Sequence, residues 1–140
     1  MVTFMKITDV KVAVIRGNFC WPIVRVDTDE GISGLGEARD YSPAHHYAVP
    51  LKEQILRLKK VIVGEDPTNV ERLFAKIRAY GAEGRFGGAV SGIEIALWDI
   101  LGKSLGVPIY KLLGGKFRSK IRIYCDCHAG RAISDAATDY

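Results

Sequence analysis

Ser91-Gly92-Ile93-Glu94-Ile95-Ala96-Leu97-Trp98-Asp99-Ile100-Leu101-Gly102-Lys103 is the stretch on which the fold turns. With Ala89 upstream, Ile93, Ala96, Leu97, Ile100 and Leu101 recur at helical spacing and fall on one face. Gly88 and Gly92 leave a groove in that face for the close approach of another element. The pattern predicts the most buried helix of the chain. Gly106-Val107-Pro108 ends it, residues 109–113 make a short helical turn, and Gly114-Gly115-Lys116 breaks the chain before an extended segment at 120–125.

Upstream, the period of the apolar pattern changes from helical to alternating. Residues 7–15, ITDVKVAVI, put Val10, Val12 and Val14 on one side of a strand and Lys11 and Ala13 on the other. After Gly17-Asn18, a second strand is expected over 22–28 and, beyond the turn Asp29-Glu30-Gly31, a third over 32–38. From residue 42 to about residue 60, Val49, Leu51, Ile55, Leu56 and Leu58, with Val61 just after, then mark an amphipathic helix. Asp66-Pro67-Thr68 signals the start of another, lined by Val70, Leu73, Phe74 and Ile77.

Composition narrows the class. The 140 residues are 48% hydrophobic and 26% charged, as expected of a folded globular domain. The net charge of +4 comes from basic residues interleaved with acids, so the clustered stripe of a nucleic-acid binder is absent and no nucleic-acid partner is expected. There is no run of 18 apolar residues and no signal-peptide pattern at the start, which points away from a membrane and toward the cytoplasm. Three cysteines, Cys20, Cys125 and Cys127, are a poor disulfide framework.

Several motifs invite a chemical reading and fail it. Gly102-Lys103-Ser104 resembles the end of a P-loop, but Leu97 stands where that loop needs its first glycine. Gly31, Gly34 and Gly36 precede Glu37-Ala38 rather than a helix start, so they are turn and close-packing glycines and no dinucleotide fingerprint. His45, His46 and His128 show no zinc-hydrolase spacing, and Cys125, Cys127 and His128 alone make a weak metal cluster. No nucleophile elbow and no paired acids occur, so no catalytic residue and no metal ligand is assigned in this chain.

The run from Ser91 to Lys103, followed by Gly106-Val107-Pro108-Ile109-Tyr110-Lys111-Leu112-Leu113-Gly114-Gly115, closely resembles the mandelate racemase and muconate lactonising enzyme group of the enolase superfamily. Lys6-Ile7-Thr8, the hairpin around Asp27-Thr28-Asp29-Glu30-Gly31 and Gly34-Leu35-Gly36-Glu37-Ala38 agree with it. The resemblance implies an α+β capping domain over residues 1–115, a three-stranded antiparallel meander followed by a helical bundle. Residues 116–140 would then be the first strand and loop of a (β/α) barrel, which needs about 250 residues.

It implies, further, that Mg²⁺ is held by barrel carboxylates beyond Tyr140, where a base removes the proton α to a substrate carboxylate and the metal stabilises the ene-diolate. The cap would supply two closing connections, residues 16–22 and 39–46. Candidate substrate-binding residues are Phe19 and Trp21 as an apolar wall, and Arg39 for a carboxylate. Tyr41, His45 and His46 offer groups for a polyol, with Cys127 and His128 at the barrel rim. This polar set tilts the expectation toward a dehydratase of an acid sugar over a racemase or cycloisomerase. Asp99 and Glu94 are read as structural, and a homo-oligomer is expected. The competing reading is a non-catalytic binding or scaffold module.

Overall fold

The computed structural model describes residues 4–16, 20–39, 48–81 and 87–123. Strands β1 (Ile7–Arg16), β2 (Cys20–Thr28) and β3 (Ser33–Glu37) come first; α1 (Ala48–Ile62), α2 (Val70–Gly81), α3 (Gly87–Leu105) and the single turn α4 (Ile109–Leu112) follow. The strands pair antiparallel in the order β1-β2-β3, the meander that the alternating pattern predicts. One face carries the helices: Pro22, Val24, Val26 and Thr28 of β2 are buried there, while Arg25 between them is exposed. Ile7 and Val10 both reach this core, although an uninterrupted strand would aim them at opposite faces. A bulge between Ile7 and Asp9 resets the phase. Asp9 secures it by accepting from the Val10 N–H at 2.7 Å and pairing with Lys59 of α1.

The other face of the sheet is charged at one end. Lys11 Nζ and Arg25 Nε each stand 2.6 Å from the Asp27 carboxylate, and their hydrogen bonds, that of Lys11 foremost, hold its pKa below the ordinary range against a smaller opposing effect of burial. A lowered folded-state pKa contributes stability above the unfolded carboxylate pKa and loses it as pH falls through the folded value. The melting temperature of Asp27→Asn is therefore expected to lie about 2 °C or less below wild type at pH 7 and to converge on it as pH drops from about 5 toward 2. A gap that widened in acid would contradict this.

Helix boundaries follow their caps. α2 begins at Val70 and not at Pro67, because Asp66 folds residues 66–69 into a turn, accepting from the Thr68 N–H (2.9 Å), the Thr68 hydroxyl (2.6 Å) and Asn69 Nδ2 (3.1 Å). α3 ends in a Schellman motif: Gly106 takes φ +65°, its N–H donates to Lys103 O, and the Val107 N–H donates to Gly102 O. The core joins Leu51, Ile55, Leu58 and Ile62 of α1 to Val70, Leu73 and Ile77 of α2 and to the inner face of α3. Two expectations shift here. Leu56 is exposed on α1, and Leu101 is only half-buried, while Val90 joins Gly92 on the buried face of α3.

Residues 120–123 carry no strand pairing, and Ile121 and Ile123 are exposed. The extended segment expected from residue 120 has no neighbouring strand among the described residues to pair with; Tyr124 and Cys125 lie outside them.

Candidate functional site

α3 crosses β3 antiparallel and at backbone contact. A β-carbon placed on Gly34 would overlap the Ala96 carbonyl oxygen, and one on Gly36 would overlap that of Gly92. Gly92 in turn faces Ala38 and Val24, whose side-chain carbons would each lie 3.0 Å from an added β-carbon. The glycines read as close-packing residues do that work, although the groove they form is shared between helix and strand.

At the Ser33 end of β3, α3 clamps the open sheet edge. Asp99 accepts the Leu35 N–H at 2.9 Å and pairs with Lys103 at 2.5 Å, while Lys103 Nζ donates to Ser33 O at 2.7 Å. Two edge groups that would otherwise template another strand are thereby occupied. Glu94 accepts from Trp98 Nε1 at 3.4 Å. The structural reading of Asp99 and Glu94 accords with these contacts. The i, i+4 spacing of Asp99 and Lys103 was the only sequence signal of the clamp, and it could not reveal that the pair reaches β3.

The opposite end of the sheet carries Trp21 and Arg39. β2 starts at Cys20 rather than Pro22, since Arg16 pairs with Cys20 and Ile15 with Trp21. The expected closing connection over 16–22 is thus reduced to residues 17–19, and Trp21 belongs to a strand. Across β2, the Ala38 N–H donates to Pro22 O at 2.9 Å, which continues the β2–β3 register and sets Arg39 beside Trp21. Trp21 is half-buried and Arg39 is exposed. The first turn of α3 comes to the same place, where a β-carbon on Gly88 would overlap the Arg39 carbonyl oxygen. Of the candidate substrate-binding residues, Trp21 and Arg39 are therefore neighbours. Phe19, Tyr41, His45, His46, Cys127 and His128 lie outside the described residues.

Among the described residues no three His, Cys, Asp or Glu side chains come together to hold a metal ion, and no helix is long and apolar enough to cross a membrane.

Residues 10–114 match the model of the mandelate racemase/muconate lactonizing enzyme N-terminal domain. The chain is 44% identical over 128 residues to a D-xylonate dehydratase of Haloferax volcanii, covering 88% of this chain and 29% of that protein. It is 40% identical over 130 residues to a D-galactonate dehydratase family member of Paenibacillus sp., covering 89% and 30%. A solved enolase-superfamily member from Salmonella Typhimurium superposes with a TM-score of 0.75 at 42% identity, over 85% of this chain and 32% of that one. The chain spans less than a third of the length of these relatives. By its meander, its helices and this match, the chain belongs to the mandelate racemase/muconate lactonizing enzyme family of the enolase superfamily, as an N-terminal capping domain.

Proposed function

We propose that the protein containing this cap is a metal-dependent lyase that dehydrates an acid sugar. The observation that carries this is its 44% identity, over nearly the whole chain, to a relative named for D-xylonate dehydration. Such a reaction removes the proton α to the carboxylate and expels the β-hydroxyl as water; the resulting enol tautomerises to a 2-oxo acid. It needs a base for the first step and an acid for the second. On this reading those groups, and the carboxylates holding Mg²⁺, belong to a barrel beyond Tyr140, and residues 116–140 begin it.

The cap's part is to bind and enclose. Arg39 is suited to a substrate carboxylate, and Trp21 beside it forms an apolar wall. Phe19, Tyr41, His45 and His46 belong to the same enclosure, and Cys127 and His128 to the barrel rim. Excluding water there strengthens each polar contact with substrate. The exposed apolar side chains of Ile95 and Leu105 on α3, Tyr110 on α4 and Leu113 just after it support the reading of a face that packs on the barrel. We place the enzyme in the cytoplasm, as a homo-oligomer.

Full-length protein supplied with Mg²⁺ and a panel of acid sugars is expected to convert one of them to a 2-oxo acid, trapped as its semicarbazone, and to lose that activity on chelation. Exchange of the α-proton with solvent, without loss of water, would replace dehydration by a racemase reading.

A further inference from the structure

We infer that Gly88, which lies outside both proposed closing connections, is a positioning residue for Arg39 and thereby for substrate affinity; this rests on the proposed enclosure of substrate by the cap. The three atoms nearest to a β-carbon on Gly88 all belong to the main chain of Arg39: the carbonyl oxygen, which it would overlap, the carbonyl carbon at 2.7 Å and the amide nitrogen at 3.3 Å. No rotamer change can relieve such an overlap, because main-chain atoms move only with the chain.

The residue before Arg39 has little room to follow. Ala38 is fully buried, its N–H is bonded to Pro22 O at 2.9 Å, and its β-carbon would sit 3.0 Å from one on Gly92, a helical turn after Gly88. Added volume at residue 88 is thus passed to Arg39. The adjacent Gly87 provides the contrast, since a β-carbon there would meet nothing within 4 Å. Gly87 opens α3 with space around it, so of the two glycines only Gly88 is accounted for by a close approach of backbone. A guanidinium that pairs with a carboxylate through two parallel hydrogen bonds is sensitive to displacement of its backbone by even about 1 Å.

The test compares full-length Gly88→Ala, Gly87→Ala and Leu73→Ala, the last a cavity in α2, which packs against α1 and α3. Two readouts are taken: the rate of tryptic cleavage after Arg39, followed by mass spectrometry, and kcat and KM for the acid sugar that wild type turns over. Gly88→Ala is expected to fold with lowered stability, because the overlap with the Arg39 carbonyl must be relieved by movement of the chain. Leu73→Ala, which loses stability without touching Arg39, controls for that loss. Gly88→Ala should change the cleavage rate several-fold and raise KM about 10-fold with kcat within about 3-fold of wild type, the signature of lost uniform binding. Gly87→Ala should change neither, and Leu73→Ala should lower the melting temperature with KM unchanged. A Gly88→Ala protein with wild-type cleavage and KM overturns the inference, as does an altered KM in Gly87→Ala or Leu73→Ala of equal size. If wild type dehydrates no acid sugar, the functional reading fails by itself, and the cleavage rates still decide whether residue 88 positions Arg39.

Discussion

Leu97→Ala is expected to lower the unfolding free energy by about 2–5 kcal/mol, measured by denaturant titration. Leu97 is completely buried on the face of α3 that carries Ile93, Ala96 and Ile100, at the centre of a core that joins sheet and helices. α3 packs against β3, β2, α2 and α1, so a cavity at this point is bounded by several elements that cannot all close on it. Ser91→Ala, exposed on the same helix, is the matched control and should stay within about 0.5 kcal/mol of wild type. A loss below about 1 kcal/mol at Leu97 would mean that the core does not converge on α3.

Gly34→Ala should cost about 1–3 kcal/mol or more through the opposite fault, added volume with nowhere to go. The atom that a β-carbon there would overlap is the Ala96 carbonyl oxygen, and Ile100 Cγ1 lies only 2.8 Å away. A helix carbonyl cannot rotate aside, so α3 must lift from β3. Lifting also strains the Asp99 bond to the Leu35 N–H and the Lys103 bond to Ser33 O. Gly36→Ala meets the Gly92 carbonyl in the same groove. Once the helix has lifted for one substitution, the other costs less, and the double variant should fall short of the sum of the singles. Full additivity would show that the two sites yield independently. Gly31→Ala separates this from conformational strain: Gly31 has open space around it but a φ of +76°, and its cost is expected to be about 1–2 kcal/mol.

The elements that were legible in the sequence are those whose signal is local. Alternation along ITDVKVAVI and the helical spacing from Ala89 to Ile100 report burial on one face, and both elements form where that spacing puts them. The turn glycines Gly31, Gly106 and Gly114 were equally readable, because only a residue without a β-carbon takes their positive φ at low cost. Starts were harder. Pro67 looked like a first helical residue, yet the Asp66 side chain holds it in a turn, a choice between two local hydrogen-bonding schemes that composition does not settle.

The candidate site was legible only as a set of residue types on two connections and at the expected barrel rim. That Trp21 belongs to a strand and stands beside Arg39 follows from register, which depends on which residues of β1 and β3 face β2. The meander, the buried helix and the family are readable because period, turn chemistry and the Ser91–Gly115 motif are written along the chain. That Asp99 and Lys103 close a sheet edge, that Gly34 and Gly36 admit α3, and that Gly88 abuts Arg39 emerges from packing. These contacts join residues far apart in sequence, and their geometry exists only once sheet and helix have packed.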